Sequence, residues 1–297
     1  MTSSESQKPQ IKGENKKSEN KTKIRLDLAL VEKGFFRTRP EAQTAIMDGA
    51  VLVNNEKVTK SGTSVSNADK IELRPGFTKQ KYVSRGGIKL EKALEQFPVV
   101  IQGRICLDVG ASTGGFTDCL LQHGAGKVYA IDVGYGQLDW KLRTDGRVVI
   151  KERVNARYLT ADELYEDNAE RASLAVIDCS FISLDKILPA VEKLLTPTNG
   201  EVICLIKPQF EAGREQVKKG VVRDGKVHLD VLIRTSDHAS TLGFHVQDCT
   251  FSPLKGPKGN IEYLMLLSKK ESSKIFDYQA LVDQAIETLK NASADEV

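Results

Sequence analysis

Two charged residues stand where apolar runs end. Asp178 closes "LAVID" and Lys207 closes "CLIK", so each projects from the end of a buried strand into a crevice. A lysine in that position costs desolvation unless it is paired or used. A structural Asp–Lys ion pair and a working pair that handles a proton both satisfy this. Glu262 heads another apolar strand, "NIEYLMLL", and Lys89 in "SRGGIKLEKAL" precedes the first strand of the same region. By its neighbours alone, Lys89 reads as a solvated helix residue.

A second constellation is "LDVGASTGGF", residues 107 to 116, with Gly110, Gly114 and Gly115 following a strand. Strand, glycine turn and helix open any doubly wound sheet, whose ligands gather at the C-terminal ends of the strands. Close packing of a helix is the competing use. The phosphate-binding P-loop requires Gly-Lys-Ser/Thr, which occurs nowhere in the chain. The dinucleotide turn requires G-x-G-x-x-G, whereas Ala111, Ser112 and Thr113 separate Gly110 from the glycine pair. A cofactor without a pyrophosphate remains, and S-adenosylmethionine (SAM) fits. Its ribose diol calls for an acid at the end of the second strand. Asp132 closes "VYAID" 24 positions after Asp108, although capping a strand end would also explain it.

The elements that must position these residues alternate. "RICLDV" precedes a helix at "FTDCLLQHG", and "KVYAIDV" and "RVVIKE" are further strands. "LAVIDCSF" leads into "LDKILPAVEKLL", and "EVICLIKP" is followed by a helix at "HLDVLIRTSDHASTLG". The strands are short, β-branched and almost wholly apolar, as in a parallel sheet covered on both faces. "HVQDCTFSP" and "NIEYLMLLS" leave no room for a helix between them and should pair antiparallel. "KIFDYQALVDQAIETLKNA" is an acidic amphipathic helix.

Ahead of this region lies a small module. Leu26, Leu28, Leu30 and Val31 supply a first helix that stops at Gly34. Thr38, Pro40 and Glu41 start a second helix with a capping box, and Gly49 ends it. Val51 and Val53 before Asn54-Asn55 signal a hairpin. "RPGFTKQKYVSRGGIKL" reads as a basic connection. The expected division is a disordered basic tail at 1–23, the module at 24–75, a linker at 76–84, an α/β domain at 85–270 and a C-terminal helix and tail at 271–297.

Composition narrows the class. The chain has 297 residues, 40% apolar and 28% charged, and no apolar run nears the roughly 18 residues that span a bilayer. The first 23 residues carry six lysines and no hydrophobic segment, unlike a secretory signal. Five cysteines without a CxxC motif read as reduced core residues of a cytoplasmic protein. Net charge is +3, yet residues 24–92 hold thirteen Lys and Arg against eight Asp and Glu. That asymmetry suits a polyanion partner and also an ordinary solvated surface.

Taken together, the residues resemble a known family. Lys89, Asp178, Lys207 and Glu262 match in order and spacing the K-D-K-E tetrad of the RrmJ/FtsJ-type ribose 2′-O-methyltransferases. "KYVSRGGIKL", "DCSFISL", "LIKPQFEAGR" and "SPLKGPKGNIEYL" are similar to the TlyA family, whose members often carry hemolysin names. "RLDLALVEKGFFRTRPEAQTAIMDGAVLVN" resembles the S4 RNA-binding domain. The resemblance implies a Rossmann-like SAM-dependent methyltransferase fold, seven-stranded and mostly parallel with an antiparallel last strand, preceded by a small α+β S4 domain. It implies 2′-O-methylation of cytidine in ribosomal RNA of the large subunit, with the small subunit a second candidate.

Lys207 would then be the central catalytic group, stabilising an alkoxide or accepting its proton. Asp178 would orient it, and Lys89 and Glu262 would hold the nucleotide. SAM would lie against Asp108, Gly110, Ala111, Ser112, Thr113, Gly114, Gly115 and Phe116, with Asp132, Val133, Asn155 and Asp178 completing its site. Arg25, Lys33, Arg37, Arg39, Lys81, Arg85, Lys218, Lys219 and Arg223 are the expected RNA contacts. No metal and no obligate protein partner are implied; ribosomal RNA or assembled subunits are the expected partner. An inactive RNA-binding or ribosome-assembly factor and a membrane-active hemolysin are the alternatives.

Overall fold

The computed structural model describes residues 23–36, 38–47, 49–75, 77, 81–167 and 169–290. The expected tail at 1–23 lies, apart from Lys23, outside the described residues, as do Arg37 and 291–297. Two compact units divide the chain, Met1–Lys79 and Gln80–Val297.

The first unit contains β1 (Ile24–Arg25), α1 (Leu26–Glu32), α2 (Arg39–Met47), β2 (Val51–Val53), β3 (Glu56–Val58), β4 (Ser64–Val65) and β5 (Ile71–Leu73). Both helix stops behave as their glycines require, with Gly34 at φ 77° and Gly49 at φ 66°. Thr38 Oγ1 accepts from Glu41 N at 3.4 Å at the start of α2. Asn54 and Asn55, both left-handed, turn β2 back onto β3, and β5 pairs on the other side of β2. Leu26, Leu30, Ala42, Ile46 and Val51 fill the core of this unit.

The second unit begins with α3 (Gly86–Gln96), which the sequence pattern treated mostly as connection. There follow β6 (Ile105–Val109), α4 (Gly115–Gln122), β7 (Lys127–Asp132), α5 (Trp140–Arg143), β8 (Val148–Glu152), α6 (Ala161–Leu164), β9 (Leu174–Ile177) and α7 (Leu184–Leu194). The unit closes with β10 (Glu201–Ile206), α8 (Pro208–Glu211), α9 (Gly225–Thr241), β11 (His245–Phe251), β12 (Tyr263–Ser268) and α10 (Tyr278–Lys290). Seven strands form one sheet in the order β11-β12-β10-β9-β6-β7-β8. Only β12 runs against its neighbours, pairing antiparallel with both β10 and β11. Leu107, Val109, Ala175, Ile177 and Ile206 on one face and Cys106, Val176, Ile203 and Leu205 on the other are buried under helices. That two-sided burial explains the unbroken apolar runs. Tyr82, within the expected linker, is 3% exposed and belongs to this core.

Candidate active site

Parallel register brings the chemistry to one edge. Val109 lies opposite Ile177 and Ile177 opposite Cys204, so Asp178 and Lys207 leave the sheet at the same end. Antiparallel β12 starts there, with Tyr263 opposite Ile206, and thereby delivers Glu262 beside Lys207. Lys207 Nζ is 2.6 Å from Asp178 Oδ1 and donates to Ser180 Oγ at 3.0 Å. Lys89 Nζ is 2.6 Å from Glu262 Oε2, and Gln209 Nε2 donates to Glu262 Oε1 at 3.3 Å. Lys207 and Glu262 are 6% and 0% exposed. Charges this deep persist only when paired. Lys89, its side chain 12% exposed, is accordingly a mostly buried partner of Glu262 and not the solvated helix residue its neighbours suggested.

An ammonium has three donors. Ser180 takes one of those on Lys207, and the Asp178 contact is an ion pair whose Oδ1 has no hydrogen-bond partner among the described residues, so donor capacity remains for an oxygen brought into the cleft.

The glycines of the turn have protein neighbours. Gly110, at φ 87°, lets the chain approach the Asp178 carbonyl, which a Cβ would meet at 2.7 Å. A Cβ on Gly114 would overlap the Leu142 side chain. One on Gly115 would overlap Ser84 Oγ and come to 2.9 Å from Gly87 N. Gly110 therefore seats the end of β9, which carries Asp178, and Gly115 seats α3, which carries Lys89.

Cofactor candidates occupy the same edge. Asp132 accepts from Ser112 N at 2.8 Å and from Gly134 N at 2.6 Å, one bond per oxygen. A carboxylate has about four acceptor positions, so capacity for a diol remains. Asp108 is fully buried; burial pushes its carboxyl up to about 7, against the Thr117 hydroxyl bond, and the charges of Asp178 and Asp132 add to the rise. Its Oδ2 accepts from Thr117 Oγ1 at 2.6 Å, while Oδ1 has no hydrogen-bond partner among the described residues. An orphaned polar atom beside an acid-flanked glycine turn fits a ligand bearing donor groups, as SAM does. Ser112, Thr113, Val133 and Asn155 are exposed there, and Ala111 is buried. Phe116 is 3% exposed and packs in the core.

The expected RNA contacts divide. Arg25 and Arg39 both bind buried Asp27, each at 2.9 Å, and remain half exposed. Lys81 pairs with Glu91. Lys33, Arg85, Lys218, Lys219 and Arg223 are exposed; Arg37 lies outside the described residues. Sequence reading missed Phe181, which is 89% exposed at φ 64°, with its ring 5.0 Å from Phe210 beside Lys207. It also missed Ser180, Gln209 and Asn260, although all lie within the stretches that carried the resemblance. Among the described residues no group of three or more His, Cys, Asp or Glu side chains could hold a metal, and no helix is long and apolar enough to cross a membrane.

A sheet of this order, with a glycine turn after its first strand and an acid after its second, places the ligand site at the carboxyl ends of the strands, and the class it belongs to is that of the SAM-dependent methyltransferases. The chain belongs to the FtsJ-like methyltransferase family, whose model matches residues 82–269; an S4 domain matches residues 24–71. It is 42% identical over 246 residues to the 16S/23S rRNA (cytidine-2′-O)-methyltransferase TlyA of Mycobacterium tuberculosis, covering 82% of this chain and 90% of that one. Hemolysin A of Brachyspira hyodysenteriae is 47% identical over 243 residues, covering 81% of this chain and 98% of its own. A solved structure from Streptococcus thermophilus, of a protein carrying a hemolysin name, is 43% identical with a TM-score of 0.71, covering 90% of this chain and 97% of that one.

Proposed function

We propose that this protein methylates the ribose 2′-hydroxyl of cytidine in ribosomal RNA, with SAM as cofactor. The observation that carries the reading is the two largely buried ion pairs, Lys207–Asp178 and Lys89–Glu262, at the strand ends beside the glycine turn. When bound, SAM supplies the electrophilic methyl group. The protein's own task is to make a poor nucleophile reactive and to hold it in line. Lys207 Nζ, ion-paired with Asp178 and bonded to Ser180, directs a donor at the 2′-oxygen and stabilises negative charge there as the hydroxyl proton passes to solvent. Asp178 fixes the direction of that donor. Glu262 and Lys89 hold each other and the nucleotide side of the cleft, with Gln209 fixing the second Glu262 oxygen.

Asp132 with Ser112, Val133 and Asn155 would hold the ribose and adenine of SAM; Asp108 and the turn would hold its methionine end. Lys33 and Arg85, with the exposed parts of Arg25 and Arg39, would contact phosphates. Phe181 and Phe210 present an aromatic face for a base swung out of its helix. The substrate we favour is ribosomal RNA of the large subunit, free or assembled, with the small subunit second, in the cytoplasm. The relatives named as rRNA methyltransferases and the S4 domain support an RNA substrate.

The test is transfer of labelled methyl from SAM to separated ribosomal subunits lacking the modification. Incorporation that disappears in Lys207→Ala, with SAM binding retained, supports the reading. Equal incorporation by the variant removes Lys207 from the mechanism, and none by folded wild type removes the enzyme reading.

A further inference from the structure

Two loops of the catalytic unit share an unusual turn. Lys219 and Gly220 are both left-handed, at φ 53° and 81°, and Lys258 and Gly259 repeat the pattern at φ 60° and 86°. Each pair occupies the centre of a tight turn, closed by Val221 N to Lys218 O at 3.1 Å and by Asn260 N to Pro257 O at 3.4 Å. Two successive positive φ angles select Asn, Asp or Gly, because a longer side chain crowds its own backbone. The β2–β3 hairpin of this same chain follows that preference with Asn54 and Asn55. In both catalytic-unit turns a lysine stands in the first position instead.

One side chain binds the two turns together. Asn260, 2% exposed, donates from Nδ2 to Gly220 O and to Pro257 O, each at 2.9 Å. Its Oδ1 accepts from Val222 N at 3.2 Å. Gly220 lies so close to the Lys258 side chain that a Cβ there would stand 2.9 Å from Nζ. Lys218, Lys219 and Lys258 are exposed, and none has a carboxylate partner among the described residues. Unpaired lysines on two adjoining turns repel one another unless an anion joins them. The second turn also reaches the tetrad, because a Cβ on Gly256 would overlap the Glu262 carboxylate.

We propose that the twin Lys-Gly turns form a clamp for the phosphodiester backbone of the substrate RNA beside the reacting nucleotide, with Asn260 as the positioning residue that holds them side by side. The clamp rests on the RNA reading above and adds Lys258 and Asn260 to the expected contacts. It gives a use to the lysines at two positions where asparagine would sit with less strain.

The test uses Lys219→Asn and Lys258→Asn, singly and together, since asparagine suits the left-handed turn and preserves the fold. The expected double variant melts at or above the wild-type temperature and binds SAM as before. Its affinity for subunit RNA falls roughly tenfold or more near physiological salt, and the dependence of log K on log salt flattens by about 1.4 for two lost phosphate contacts on a single strand. Asn260→Ser should flatten the salt dependence likewise and cost little further affinity when added to the double variant. A double variant with wild-type affinity and salt slope overturns the clamp alone. Wild-type protein that neither binds nor methylates subunit RNA overturns the clamp together with the RNA reading.

Discussion

Gly115→Ala separates the two uses of the glycine turn. A Cβ at this position would stand 2.9 Å from Gly87 N and 3.1 Å from Gly86 Cα, whereas ordinary contact begins at 3.4 Å. Both neighbours are backbone of α3, so the helix must retreat by the difference, about 0.5 Å, and it carries Lys89 only two residues beyond Gly87. Overpacking of this kind costs about 1–3 kcal/mol, partly offset by the ~1 kcal/mol helix preference of alanine over glycine. A net loss of roughly 0–2 kcal/mol leaves most of a typical stability of about 5–15 kcal/mol, so the variant folds. Methyl transfer should suffer more, because a misplacement approaching 1 Å costs up to about a hundredfold in rate. The assay is single-turnover methyl transfer together with calorimetric SAM binding. A fall in rate of at least tenfold, with SAM affinity within about threefold of wild type, is expected when the glycine serves α3. An equal loss in SAM affinity, with the rate at saturating cofactor unchanged, would refute the packing argument and make Gly115 a cofactor contact.

The buried pair and the buried acid give two further tests. Glu262→Gln leaves the Lys89 ammonium opposite a neutral amide; breaking such a pair costs about 3 kcal/mol, or roughly 10 °C in melting temperature for a unit of this size. A loss below about 1 kcal/mol would mean that water reaches the pair. Asp108 holds an extra proton in the folded state between an unfolded value of about 3.9 and its folded value of about 7. Its contribution to stability therefore declines as pH rises through that window, by at most ~1.4 kcal/mol per unit. Denaturation at pH 5 and pH 7.5 should show that decline in wild type and less of it in Asp108→Asn; parallel profiles would sink the assignment.

The sheet was legible because its burial on both faces writes itself as apolar runs, and the runs of β7, β8, β9 and β10 end at Asp132, Glu152, Asp178 and Lys207 on the working edge. α3 was harder to see. It opens with Gly86 and Gly87, poor helix formers, and its N-cap Arg85 makes no side-chain capping bond. Packing sets that helix, since Gly87 receives the Tyr82 ring and Gly86 lies near Phe116. The burial of Lys89 depends on Glu262, 173 positions away, and no local pattern carries that information. Arg25 and Arg39 looked like free cations for the same reason: Asp27, which engages both, is inside the fold. Phe181 was passed over because a left-handed φ on a phenylalanine leaves no mark in composition or periodicity.

Backbone strain in the catalytic unit points to the same edge as the chemistry. Its left-handed residues other than glycine are Ser112, Arg153, Phe181, Lys219 and Lys258 among those described. They follow β6, β8, β9 and β10 or precede β12, and all five side chains are exposed. Each costs on the order of 1 kcal/mol relative to glycine, a cost that persists only where the surroundings hold the backbone in place. Gly110, Gly114 and Gly115 behave oppositely, since each meets the chain's own atoms and has no room for a side chain. Within one turn, therefore, Gly110 seats Asp178, while strained Ser112 points its amide at Asp132 and keeps its side chain outside. Gly110, Gly114 and Gly115 stand where protein touches protein, and the left-handed side chains of this edge stand where it meets solvent.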